Sequence, residues 1–517
     1  MTTTSNLFIL RSQASPDGYD RGYPVDQWTL QSQCYAEYET HFSGDWLEES
    51  ISDTNANLKY PLQYDPCLLP VMLHTSFLYG EAPDGASSLV PPEIEMWDNG
   101  KRQDSEEAIN VARTMTSFLR NVWEENNARS KQMQVGLDSQ VYGGFVMGAF
   151  FDPERQLDGL VPLSLLRFDP CDFFPVWRAS DPDRLIDVQI AYGITKIQAK
   201  DLGAEPESNL ALYREQWTRT HYEITVDDKV LNVYGSPAEG VPPAGIIPFV
   251  YVPHPPRIGF YGTSLLKKHL SLAKEINANI VSTGDIISEE ALNIPAVRNV
   301  RNPKIYKLSG TKPIIDLGFQ QGDRIPDIIH PTQRATSIDS ASRQTKDMIS
   351  LLRGEMYCPP VLFGSDDGSQ RSAASLALRA IPLVSHIRDE RALYTAGMKR
   401  LNKKLLRIAA AKGIGGITEK MAQSAHIKSN WFPMLPRDAI QEVATLISRV
   451  QADVLSPETC IDKIGDILDI TGEMRKIKLW NDYKSTLSAQ PASNAYANAG
   501  RSGEFGGVQT KPRLTKE

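Results

Sequence analysis

At 517 residues the chain exceeds what one hydrophobic core organises, so several subdomains are expected, while 41% hydrophobic and 23% charged residues read as an ordinary globular chain rather than a disordered or membrane one. A net charge of −8 is the wrong sign for a surface that grips nucleic acid everywhere, so any DNA contact must be local or weak. No run approaches the roughly 18 to 20 apolar residues that span a bilayer, and the Leu7-Phe8-Ile9-Leu10 patch lacks a basic flank, so neither membrane insertion nor secretion is expected.

In chain order, Trp28, Cys34, Tyr35, Tyr38 and Phe42 fall near helical spacing before Gly44, which predicts a short amphipathic helix over 26–42. Asp104 reads as the cap of a second helix with Glu107 at N3 and one stripe of Val111, Met115, Phe118, Leu119 and Val122. From 140 to 194 short apolar runs punctuated by Pro and Asp read as β-rich. The pattern continues through 213–225, a hairpin at Val226-Asp227-Asp228-Lys229-Val230 and a strand over 246–252.

Tyr261-Gly262-Thr263-Ser264 then reads as a cap, and Leu266, Leu270, Ala273, Ile276, Ile280, Ile287 and Ala291 set a rod over 264–292. An insert rich in Pro, Gly and bases, 293–334, separates it from a second rod with Ile338, Ala341, Thr345, Met348 and Leu352 in register. A turn-rich loop follows at 358–370. Residues 372–412 read as one long helix that Pro382 should kink by removing its bond to Leu378. Beyond it come a strand over 426–432, helices over 438–455 and 456–483 (the latter with Pro457 at N1), and a disordered tail from 485.

The search for chemistry is mostly negative. No Gly-x-x-x-x-Gly-Lys-Ser/Thr loop is present, which argues against an ATPase. The eight histidines form no His-x-x-x-His pair and the five cysteines no Cys-x-x-Cys pair, so neither a metal nor a cofactor is expected. Adjacent acids such as Asp227-Asp228 and Asp366-Asp367 read as solvated loop residues rather than catalytic dyads. Two basic segments remain: Arg298, Arg301, Lys304, Lys307 and Lys312 in the insert, and ten Lys or Arg over 371–412 against Asp389 and Glu390. On a long helix such bases normally face water or a neighbour's acids, a reading placed ahead of direct phosphate contact.

Taken in order, Ile247-Pro248-Phe249-Val250-Tyr251-Val252, Tyr261-Gly262-Thr263-Ser264, the rod containing Glu275-Ile276-Asn277, and residues 367–379 resemble the core of the portal proteins of tailed bacteriophages. Upstream, 57–80 and 143–190 resemble the family's wing, and downstream Asp453-Val454-Leu455-Ser456-Pro457-Glu458-Thr459 resembles its C-terminal helices. The resemblance implies an α+β portal fold: a wing over 1–263, stem helices over 264–292 and 335–357, and a small α/β clip over 293–334. A tunnel loop over 358–370, a kinked wing helix over 371–412, and a wing strand with crown helices over 413–484 complete it.

It further implies a non-enzymatic ring of twelve copies at one capsid vertex, assembled in the host cytoplasm. That ring passes double-stranded DNA without reading its sequence, docks the terminase large subunit and then the head–tail adaptors, and meets the major capsid and scaffolding proteins. Val361, Leu362, Phe363, Asp366, Asp367, Ser369 and Gln370 would face DNA; the five clip bases would meet motor and adaptors. The competing readings are another ring-forming virion component of the tail or baseplate and, from another class, a nucleic-acid-processing enzyme.

Overall fold

The computed structural model describes residues 27–44, 64–80, 88–230, 239–257, 259–292, 296–298, 304–306, 314–316, 327–329, 335–363, 378–434, 439–452, 454–464 and 470–488. They fall into two compact units, Met1–Leu435 and Pro436–Glu517. The first mixes helices and strands, and the described part of the second is helical, so the class is α+β.

Helix α1 (Gln27–Ser43) buries Tyr35 and Tyr38. Helix α2 (Leu68–Tyr79) was not expected: it is apolar on every face, burying Val71, His74 and Leu78 while Leu69 and Met72 stay exposed, so it has no period to read. Strands β1 (Pro92–Asp98) and β2 (Lys101–Arg102) form a hairpin around Asn99 and Gly100, both at positive φ. The next helix, α3 (Glu106–Glu125), is capped by Ser105, whose Oγ accepts from Ala108 N at 3.2 Å. Asp104, the expected cap, instead pairs with Arg102 at 3.0 Å. The stripe holds: Met115, Leu119 and Val122 are fully buried.

Helix α4 (Ala128–Tyr142) runs into the segment expected to be β-rich and buries the polar side chains of Gln132, Asp138, Ser139 and Gln140. After it come β3 (Gly144–Phe151), β4 (Leu163–Phe168), β5 (Phe173–Arg178), β6 (Asp181–Thr195), α5 (Lys196–Asp201), β7 (Leu210–Trp217), β8 (Tyr222–Val226), β9 (Lys229–Val230), β10 (Glu239–Gly240) and β11 (Phe249–Pro253). The β8–β9 hairpin turns on Asp227 and Asp228 at φ of 47° and 63°, as its sequence predicts. One sheet runs β10-β8-β7-β6-β5 and another β11-β3-β4. Phe150, Phe168, Phe173, Trp217, Phe249 and Tyr251 pack edge-on and stacked between them.

Helix α6 (Leu270–Leu292) starts six residues later than the capped rod expected from 264. Ser264 caps a tight turn instead: its Oγ accepts from Leu266 N and donates to Val141 O, and His269 N bonds back to Leu266 O. Four short strands follow, β12 (Ala296–Arg298), β13 (Lys304–Tyr306), β14 (Ile314–Asp316) and β15 (Asp327–Ile329), with β12 antiparallel to β15 and β13 to β14. Helix α7 (Ala335–Glu355) returns along α6, and Ile276, Leu270, Leu352 and Met356 share one buried cluster with α1. At 1.5 Å per residue, the two helices are about 35 and 32 Å long.

Helix α8 (Ile381–Lys412) has Pro382 in its first turn, where the missing N–H costs nothing, and it buries Leu383, Ile387, Tyr394, Leu401 and Leu405. The expected single helix from 372 is therefore shorter as described: Leu378 and Arg379 are helical, Ala380 is a turn residue, and 364–377 lie outside the described residues. The unit closes with α9 (Glu419–Ser424) and β16 (Ala425–Ser429), which pairs antiparallel with β1. In the second unit, α10 (Ala439–Gln451), α11 (Pro457–Ile464) and α12 (Ile470–Ser488) stand where two helices were expected. Residues 485–488, expected to be disordered, complete the last turn of α12.

Candidate functional site

A tightly held point of the first unit is where α7 ends and the 358–370 loop begins. Tyr357 N donates to Gly354 O at 3.1 Å and Cys358 N to Arg353 O at 2.8 Å, the two bonds that close a helix through a left-handed residue. That residue is normally glycine. Here it is Tyr357, at φ 59°, a conformation that costs a side-chain-bearing residue about 1 kcal/mol. Past it, Pro360–Phe363 form a 3₁₀ turn in which Arg353 Cζ lies 4.2 Å over the Phe363 ring and Leu362 packs on the main core.

Three histidines from separate elements hold this end. His74, from α2, donates Nε2–H to Met356 O at 2.7 Å, satisfying a terminal helix carbonyl. His386, from α8, stacks on Tyr357 with centroids 4.5 Å apart. It also meets His74 at 5.4 Å and His254 at 5.2 Å. His254 follows β11 and donates Nδ1–H to Thr263 O at 2.8 Å. Burial drives all three pKa values down, His74 to about 3 and His254 and His386 to about 4, so the cluster is neutral at physiological pH.

Below it Glu390 accepts from Ser139 Oγ at 2.9 Å and Gln140 Nε2 at 2.8 Å, with its other oxygen 3.9 Å from His254 Nε2. Burial raises its pKa to about 7 despite those donors. The junction therefore ties α2, α4, the end of β11 and α8 to the foot of one loop. It can position a loop; nothing in it resembles a nucleophile with its base.

A family model described as phage portal protein, SPP1 Gp6-like, matches residues 99–485. The chain belongs to the phage portal protein family. No curated protein matches it. The matched span runs from the β1–β2 turn into α12 and so contains the junction apart from His74 and α2, which precede it. As a portal-family member the chain is a structural protein of the phage virion, from a family of ring-forming capsid components.

Within this portal-family fold, Val361, Leu362 and Phe363 are half-buried against their own chain, whereas Asp366, Asp367, Ser369 and Gln370 lie outside the described residues. Arg298 ends β12 and Lys304 opens β13, and their side chains are outside what is described; Arg301, Lys307 and Lys312 lie outside the described residues altogether. Five of the ten bases of 371–412 make contacts within the chain that the reading turning them to water or neighbours did not include. Arg391, Arg400, Lys403, Lys404 and Arg407 all donate to backbone carbonyls of their own chain.

Sequence reasoning did not find the histidine junction, because 74, 254 and 386 are too far apart for any spacing signal. It also did not find His41, Asp65 and Cys67, whose ligand atoms lie within 4.8 Å of one another. That trio fits a cation poorly: Lys274 stands near enough to His41 to depress its pKa, and Asp65 already accepts from Cys67 N at 2.8 Å. Among the described residues no helix is long and apolar enough to cross a membrane.

Proposed function

We propose that this portal-family chain forms a twelve-membered ring at one capsid vertex that conducts double-stranded DNA during packaging and ejection. The observation that carries this is the family match over 99–485, a span that encloses a rod, a strand insert, an antiparallel rod and a loop in unbroken order. In this reading α6 and α7 are the stem, 293–334 the clip, 358–370 the tunnel loop and α8 the wing helix above it. Helices α10–α12 are the crown.

The physics of a conduit supports it. DNA must slide, and each phosphate neutralised adds a steep, salt-dependent grip, so an acidic chain with Asp366 and Asp367 in the loop avoids holding its cargo. Sequence-specific base contacts would defeat a passage that accepts every sequence. Val361, Leu362 and Phe363 then seat the foot of the loop, and Asp366, Asp367, Ser369 and Gln370 reach towards DNA. Arg298, Arg301, Lys304, Lys307 and Lys312 present the basic face that the terminase large subunit and later the head–tail adaptors would engage.

Reversing these five clip charges should abolish DNA packaging in a reconstituted head while leaving rings intact by electron microscopy. Undiminished packaging would remove the docking assignment.

A further inference from the structure

Along β11 and the C-terminal half of α8 lies a cavity of about 690 Å³ whose charge the fold does not balance. Arg184, Arg219, Lys399, Arg400, Lys403, Lys404 and Arg407 line it, against the single carboxylate of Asp183. That carboxylate is already shared, 3.0 Å from Arg400 and 2.8 Å from Arg257. Strand β11 is the outer strand of its sheet, and the cations serve its open edge. Lys404 donates to Ile247 O and Phe249 O at 2.7 and 2.5 Å, and Arg400 donates to Tyr251 O at 3.3 Å. Neutral carbonyls satisfy the donors without cancelling the charge. Burial first, and then the neighbouring Arg400, Arg219 and Arg407, push the Lys404 pKa down to about 7. Phe249, Tyr251 and Phe260 give the same cavity an apolar side.

The chain carries a knuckle of complementary character. Between β3 and β4, Glu154–Gln156 form a 3₁₀ turn that Arg155 pins by donating to Val161 O and Glu125 O, each at 3.2 Å. Asp152 Oδ1 accepts from Glu154 N at 3.2 Å. The held turn presents Leu157, 88% exposed, between the exposed carboxylates of Glu154 and Asp158. Among the described residues neither carboxylate has an ion pair. A rigid loop that displays a leucine and two acids loses little entropy on docking.

We infer that in the ring the Asp152–Gly159 knuckle of one copy docks into the basic cavity of the next, placing Glu154 and Asp158 among its cations and Leu157 on its aromatic side. The two patches differ, so the contact is heterologous and repeats head to tail, the geometry that closes rings. A carboxylate partner suits the cavity better than DNA: a fixed acid neutralises the cations once, whereas phosphates gripped there would resist sliding. The inference rests on the ring reading above.

Its test uses the full chain and two cavity residues, Arg184 and Lys399, for which no bond to the backbone is seen among the described residues. Arg184→Glu with Lys399→Glu, and separately Glu154→Lys with Asp158→Lys, should each raise the concentration for half-assembly about tenfold or more by native mass spectrometry. Combining all four in one chain should restore assembly to within about threefold of wild type, and circular dichroism should show every variant folded. A four-fold variant no better than its parents would overturn the pairing. Unchanged rings with weakened binding of a fluorescent 30-base-pair DNA by the cavity variant would overturn it in favour of nucleic acid. Absence of rings from the wild-type protein would overturn the ring reading itself, a failure distinct from both.

Discussion

The phenol ring of Tyr357 lies flat on the imidazole of His386, centroids 4.5 Å apart and planes inclined by 11°. The stack holds a non-glycine residue at φ 59°, at the exact end of α7 where the loop begins. Strain stored next to a loop persists only where its surroundings over-determine it. Tyr357→Ala keeps the strained backbone and loses the stack, and should cost about 1 to 2 kcal/mol in urea denaturation. Tyr357→Gly loses the stack but relieves the strain of about 1 kcal/mol, so it should fall nearer wild type. Equal losses for both would show that the left-handed backbone is not strained.

Acid should loosen the same junction. His386 faces His74, His254, Glu390 and Tyr357, and burial lowers its pKa to about 4. Between that value and its ordinary 6.5 the unfolded chain holds a proton that the folded chain refuses, so its stabilisation is present above 6.5 and lost as pH falls. Glu390, raised to about 7, works in the opposite sense, since the folded form keeps its proton as pH rises from 4.5. His386→Phe preserves a flat ring and removes one titration. Its stability relative to wild type should improve by up to about 1.4 kcal/mol per pH unit between pH 6.5 and 4.5, read from urea midpoints. A constant difference across that range would contradict the assignment.

Glu390 itself separates shape from charge. It accepts three hydrogen bonds, at 2.8, 2.9 and 2.9 Å, and its carboxyl is poised between protonation states near neutrality. Glu390→Gln should therefore cost under about 1 kcal/mol, while Glu390→Leu leaves the Ser139 and Gln140 donors buried without an acceptor and should cost about 2 to 4 kcal/mol in thermal denaturation.

Gly397 gives a prediction opposite in sign to helix propensity. A Cβ there would meet Val252 Cγ2 at 2.2 Å, because α8 lies directly on β11. Gly→Ala inside a helix ordinarily stabilises by about 1 kcal/mol. Gly397→Ala should instead destabilise by about 1 to 3 kcal/mol through overpacking, with the loss visible in the melting temperature.

The legible elements were those that bury one face. The stripe of α3, the Asp227-Asp228 hairpin and the rods of α6 and α7 each repeat a period or carry turn residues that the backbone obeys. Helix α2 was silent because its apolar residues occupy every face, and α4 because it buries Gln132, Asp138, Ser139 and Gln140 rather than an apolar stripe. Capping moved by one residue, from Asp104 to Ser105, since Arg102 competes for the aspartate. The collinear motifs from Ile247 to Arg379 carried the family resemblance, and the order of rod, insert, rod and loop agreed with it independently. The histidine junction could not be read, since its members come from α2, the segment after β11 and α8, which only the fold brings together. Nor could the basic run of α8 reveal that five of its cations turn inward onto carbonyls, because composition counts charge without direction.

Electron microscopy of the purified full-length protein tests the central claim most directly. The account predicts twelvefold rings with an open axial channel and the 358–370 loop lining its narrowest point. Rings of six- or threefold symmetry, a closed centre, or a loop turned away from the axis would contradict it.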